Sequence, residues 1–193
     1  MALATYTDLL ASVALWTNRN DISSAIPDFV TLCEEDLNRR LRSPLNETMD
    51  TAFAIAGRYT ALPTDFAEMR RVFLLDSSVR TELVPLPQAG SVSDSGIPIW
   101  YNIVDNQLEV VPIGTYTLEI TYYNTVPALV SNSTNNVLTN FPSVYLYGTC
   151  MQAGLFLNDV GMVGKFSPMY EKALATANGS RKQMGTGLQV RAR

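Results

Sequence analysis

An α+β fold, with helices at both ends of the chain and a strand-rich segment between them, is what this sequence predicts, on three observations. Apolar residues recur at helical spacing over the first 44 residues and again beyond residue 141. Between those stretches the spacing changes to alternation, broken by clusters of Ser, Gly and Pro. The 193 residues are 47% hydrophobic and 17% charged, which fits an ordered core rather than a disordered chain. The terminal helices then pack as a helical bundle, residues 1–44 with 142–180, and residues 45–141 form a β-rich insertion. A flexible basic C-terminal extension, 181–193, completes the expected organisation.

Thr5 to about Thr17 reads as the first helix. Thr5 caps it and Asp8, three residues on, returns the bond of a capping box, while Tyr6, Leu9, Leu10, Val13 and Trp16 share one face. "NRNDISSAIPD" turns into a second helix, with Pro27 in its first turn, where no amide hydrogen is needed. Ile26, Phe29, Val30, Cys33, Leu37 and Leu41 form its apolar stripe and charged residues fill the other faces; "SPLN" ends it.

The alternating region begins near residue 47. The segments 47–55 and 58–62 read as a hairpin about Gly57-Arg58. "RRVFLLD", "TELVPLP", "IWYNIV" and "QLEVVP" are further strands. The last two are joined by Asp105-Asn106, residues that tolerate the positive φ of a tight turn. In "YTLEITYYN", Tyr116, Leu118, Ile120 and Tyr122 face one way. After the polar loop "SNSTNN", residues 142–158 resume helical periodicity with Val144, Tyr147, Met151, Leu155 and Phe156 inward. A last helix covers about 163–178, begun or kinked at Ser167-Pro168.

Composition excludes several chemistries. Histidine is absent, which removes the usual general base and every imidazole metal site. Cys33 and Cys150 lie in apolar helical patterns and read as buried hydrophobes in preference to a disulfide. A net charge of −4 argues against a general nucleic-acid binder. No apolar run approaches the roughly 18 residues of a membrane helix, and the N-terminus lacks the cationic start of a signal peptide, so a protein made in a cytoplasm is expected. "GMVG" and "GTG" lack the lysine and preceding strand of a phosphate loop.

Two motifs invite a sharper reading. In "LPTDFAEMR", Asp65 and Glu68 have the spacing of a helix cap and its returning carboxylate, so they read as structural caps rather than a catalytic pair. A hydrolase using Asp65 with Glu109 or Glu119 is the weakest reading, because no acid motif is clustered. Trp100, Tyr101, Tyr116, Tyr122 and Tyr123 could form a stacking platform, and a tail module binding a glycan or receptor through them is the main alternative. Arg80 is the lone cation in 76–123, so packing is the better account of these aromatics. The segment "NGSRKQMGTGLQVRAR" carries Arg181, Lys182, Arg191 and Arg193 and no acid. Of the chain's 14 cations these four lie in the tail, leaving 10 against 18 carboxylates. A solvated end, a segment that orders on an acidic partner, and a DNA-contacting arm are its three readings.

The order of motifs adds a resemblance. "TYTDLLASVALWTNRNDISSAIPDFVTLCEEDLNRRLR", "LPTDFAEMR", "GIPIWYNIVDNQLEVVP", "YTLEITYY" and "PSVYLYGTCMQAGLFLND" follow one another as in bacteriophage head–tail adaptors. These are the connector, or neck, proteins similar to tail tubular protein A, which the chain resembles over residues 4 to about 178. The resemblance implies a structural virion protein with no catalytic site, metal or cofactor. It implies a ring of about twelve copies under the portal, closed by one repeated head-to-tail contact. A downstream tail or nozzle protein would dock on it and genomic DNA would pass through without sequence-specific binding. The C-terminal segment, here Arg181, Lys182, Arg191 and Arg193, would grip an acidic portal surface.

Overall fold

The computed structural model describes residues 3–76, 79–87 and 96–179. They divide into two compact units: Glu47–Thr125, and the chain on either side of it.

In the helical unit, α1 (Tyr6–Thr17) opens with the expected capping box. Thr5 Oγ1 accepts from the Asp8 amide at 3.2 Å and the Thr5 amide donates to Asp8 Oδ2 at 3.1 Å. Asn18, at φ 52°, ends the helix in a left-handed cap. The stripe of α2 (Ile26–Arg40) is buried from Ile26 to Leu37 as its spacing predicts. A short 3-10 turn, Pro44–Asn46, leads out. After the inserted unit come α3 (Asn136–Asn140), α4 (Pro142–Phe156) and α5 (Val160–Gly179). α4 is the centre of the unit, packing on α1, α2, α3 and α5. It is buried on most of its circumference, at Val144, Tyr145, Leu146, Thr149, Cys150 and Ala153, rather than on the single stripe expected. Val144 is inward and Tyr147 and Met151 are half-buried, but Leu155 and Phe156 are exposed. Surrounded by four elements, α4 has no continuous solvent face before its last turn to set a period.

The last helix starts at Val160 and runs through Pro168. Proline cannot donate to the Gly164 carbonyl; Pro168 and Gly164 are both exposed, so water can satisfy that acceptor.

The second unit is a seven-stranded sheet in the order β1-β7-β3-β4-β5-β6-β2. Its strands are β1 (Glu47–Ala56), β2 (Tyr59–Ala61), β3 (Phe66–Asp76), β4 (Val79–Pro85), β5 (Trp100–Val104), β6 (Gln107–Val111) and β7 (Thr115–Asn124). The two end strands, β1 and β2, are consecutive in the chain, and the sheet curls until it is nearly closed. Phe53, Ile55, Val72, Leu74, Leu118 and Ile120 are among the residues of one core on the inner face. All pairs are antiparallel except β4–β5, a parallel seam of two residue pairs. The β5–β6 hairpin turns on Asp105 and Asn106, both at positive φ as expected.

Three expectations change here. β1 and β2 are not a hairpin: β1 pairs with β7, and β2 with β6. A three-residue β2 cannot ladder a ten-residue β1, whereas β7 matches it in length and sets Leu118 opposite Phe53 and Tyr116 opposite Ile55. "LPTDFAEMR" starts no helix: Phe66 opens β3, so Asp65 and Glu68 are not caps. The aromatic and branched run behind them, paired on both sides by β7 and β4, outweighs a local capping pattern. Finally, the strands stop at Asn124, and residues 126–141, expected in the insertion, belong to the helical unit.

Candidate functional site

The polar side chains of α2 organise the helical unit. Glu34 is 6% exposed, and its Oε1 accepts the Leu129 amide at 2.8 Å and the Tyr145 hydroxyl at 3.2 Å. Asn135 completes the network: Nδ2 donates to Tyr145 Oη (2.7 Å) and the Pro127 carbonyl (2.8 Å), and Oδ1 accepts from the Leu138 amide. One turn along α2, Asn38 Oδ1 accepts the Val126 amide at 2.7 Å. The chain returning from β7 is thus pinned to α2 by side chains replacing backbone partners it would otherwise lack. The end of α2 is held to α5 by Asn178, which bonds both the Arg42 amide and the Arg40 carbonyl, and by an exposed Arg40–Glu171 pair. Burial raises the pKa of Glu34, and burial beside Glu34 raises that of Tyr145 further above its ordinary value. Burial holds the Cys33 thiol far above its normal range and pushes Cys150 up to about 12, which makes both poor nucleophiles and metal ligands.

The carboxylates once grouped as a hydrolase pair are dispersed and occupied. Asp65 Oδ1 accepts from the Tyr122 hydroxyl at 3.1 Å, and its carbonyl accepts the Thr125 amide at 2.8 Å. Thr125 directly follows β7, six residues beyond Glu119, so Asp65 and Glu119 are roughly 20 Å apart. Glycosidase carboxyls stand about 5 to 9.5 Å apart. Glu119 is paired with Arg80, whose guanidinium lies 3.6 Å over the Phe73 ring. Glu109 is paired with Arg58 at 2.8 Å. Burial and the Asp65 carboxylate push the Tyr122 phenol up to about 12, so it stays a donor at neutral pH. Tyr122→Phe removes that one part-buried bond, and urea unfolding is expected to show a loss of about 1 kcal/mol or less.

The five aromatics are not all at the surface. Tyr122 and Tyr123 are buried, and Trp100, Tyr101 and Tyr116 are half-buried. Glu68 lies on β3 opposite Tyr123. No group of three or more potential metal ligands occurs among the described residues. No helix among them is long and apolar enough to cross a membrane. Arg181, Lys182, Arg191 and Arg193 lie outside the described residues.

What the helical unit does present is apolar surface at the two ends of the α4–α5 pair. At the corner between the helices Leu155, Phe156 and Val160 are 56%, 64% and 80% exposed. Asn158, at φ 52°, ends α4, and Asp159 Oδ1 accepts the Met162 amide to cap α5. Toward the other end a groove of about 380 Å³ is lined by Phe141, Ser143, Tyr147, Met169, Lys172, Ala173 and Thr176. Trp16 stands at 5.9 Å from the Tyr147 ring. Periodicity assigns Leu155 and Phe156 to the core; the helix end at "LND", just beyond them, is the signal available in the sequence.

A framework of helices joined by buried polar ties, with apolar residues left uncovered at the ends of one helix pair, is suited to holding other proteins. The sequence matches the family model of the SU10 adaptor protein over residues 4–192. The chain belongs to the SU10 adaptor family. This is a family of phage head–tail adaptors, and the adaptor is thereby a virion component that interacts with other head and tail proteins. The match runs through residue 192, beyond the point near residue 178 where the motif resemblance ended, and so takes in all of the basic tail but Arg193. No curated protein matches the adaptor's sequence.

Proposed function

We propose that the adaptor is a non-enzymatic ring component that joins the portal to the tail and lets DNA pass. The observation that carries this reading is the family match over residues 4–192, which covers nearly all of both compact units. In this reading the helical unit builds the ring and the strand unit presents a docking surface for the next tail or nozzle protein. Exposed Val84 and Ile99, joined by the Val84 amide bond to the Ile99 carbonyl at 3.0 Å, are apolar surface available for that contact. A net charge of −4 disfavours tight binding of DNA sliding through a channel. Arg181, Lys182, Arg191 and Arg193 contact an acidic surface of the portal.

Native mass spectrometry of the adaptor mixed with the portal of its own virus tests the reading. The portal ring is expected to gain about twelve copies, a closed set of identical contacts. An adaptor lacking residues 181–193 is expected to keep its fold and lose portal binding. Equal binding by the truncated chain would remove the tail from the interface. No association at any salt concentration would reject the adaptor role, and glycan binding lost on Trp100→Ala would then be the alternative to measure.

A further inference from the structure

We infer that the two apolar ends of the α4–α5 pair are complementary halves of one contact between copies of this chain. The corner of one copy, with Val160 and Phe156 leading, enters the groove between α4 and α5 of the next. This rests on the ring reading and specifies the surfaces that make it.

Three observations point to a second copy as the occupant. Within a chain the two surfaces cannot meet. They lie at opposite ends of the same helices, and the 13 residues from Ser143 to Phe156 span about 20 Å of helix. The charges are complementary. α4 carries no charged residue, Lys172 is the one cation lining the groove, and Asp159 is the one charge in residues 155–164. Seating the corner brings Asp159 toward Lys172 with apolar contact around them, the arrangement of a buried anchor with a charged rim. The corner is also held in shape before it binds. Phe156 packs on Phe29 at 5.2 Å between ring centres. A Cβ on Gly154 would lie 3.1 Å from both Met162 Cγ and Val163 Cγ2, so α4 and α5 cross closely behind the corner. A pre-formed projection loses little freedom on docking. A contact in which one end meets the other is heterologous, and it closes into a ring when its rotation divides the circle.

Cysteines at the two surfaces test the pairing. Val160→Cys and Met169→Cys lie nine residues apart on α5, about 13.5 Å along its axis. A disulfide spans at most about 7 Å between Cα atoms, so the pair can close only between copies. The native Cys33 and Cys150 are buried and stay out of the exchange. The full-length double variant, oxidised with its portal present, is expected to give a ladder of covalent oligomers on a non-reducing gel, where either single variant gives none. Lys172→Glu is expected to reduce the ladder about tenfold or more by setting like charges together, and adding Asp159→Asn, which keeps a capping oxygen, to recover part of it. If the parent chain assembles on the portal while the double variant gives no ladder, these surfaces do not pair and the ring uses others. If the parent chain does not assemble at all, the ring reading itself fails and this pairing falls with it.

Discussion

Gly148→Leu is expected to destabilise the helical unit severely. Gly148 sits in the middle of α4, where α2 and α5 both press on it. A Cβ there would be 2.4 Å from Cys33 Sγ and 2.9 Å from Tyr170 Cε2, and both neighbours are buried. Neither can retreat freely. Cys33 is fixed on α2, and Tyr170 is held by its hydroxyl, which donates to Asp36 Oδ2 at 2.7 Å. Leucine adds a whole branched side chain to a crossing with no room for a methyl group. The loss is expected at about 3 kcal/mol or more, the upper end of overpacking effects, and out of a typical total of about 5–15 kcal/mol. Gly148→Ala is milder, because alanine's better helix propensity returns about 1 kcal/mol. Its remaining cost is expected to shrink by about 1 kcal/mol in a Cys33→Ala background, since neighbours that clash are coupled. Urea unfolding followed by helical circular dichroism reads all five chains: the parent, the two Gly148 variants, Cys33→Ala, and Cys33→Ala with Gly148→Ala. Unchanged stability of Gly148→Leu would mean that the three helices do not meet at this point.

Glu34→Ala is the second large effect. It deletes the acceptor of the Leu129 amide and the Tyr145 hydroxyl in a site closed to water, and a loss of about 3 kcal/mol is expected. Glu34→Gln keeps an acceptor oxygen and removes the charge, and is expected to be far less harmful. The two variants separate hydrogen bonding from charge, and pH adds a further check. Burial raises the folded-state pKa of Glu34 above its unfolded value, near the ordinary carboxylate value of about 4.3. Between those two values the folded state binds more protons than the unfolded chain, so stability falls as pH rises. The contribution is fully present below the unfolded value and lost on passing the raised one. Relative to Glu34→Gln, the parent chain is therefore expected to lose stability as pH rises from about 4.3 toward neutrality. A difference between them that does not change with pH would show that Glu34 titrates alike in both states.

Much of the helical unit, and one hairpin of the strand unit, was legible because the signals are local. The Thr5–Asp8 box, the α2 stripe and the Asp105-Asn106 turn each lie within a few residues, and each formed as its pattern predicts. The failures were of another kind. Asp65 and Glu68 carry a plausible helix-start spacing, yet the ladder partners that make the segment a strand lie on β7 and β4. The same holds for residues 47–62, where nearness in sequence suggested a hairpin that the matching lengths of β1 and β7 forbid. The candidate contact surfaces were missed because Leu155 and Phe156 are apolar and periodic, and which residues of α4 stay uncovered depends on where the other helices pack.

By itself the sequence determined the α+β class, the interrupted order of helices and strands, the lack of histidine chemistry and the resemblance that led to the adaptor family. These follow from composition, periodicity and motif order, which act within one stretch of chain. Tertiary structure alone decided which strands pair, where Asp65 and Glu109 find their partners, why α4 is buried nearly all round, and which apolar residues remain uncovered. Those outcomes depend on contacts between residues distant in sequence, whose free energies no local pattern contains.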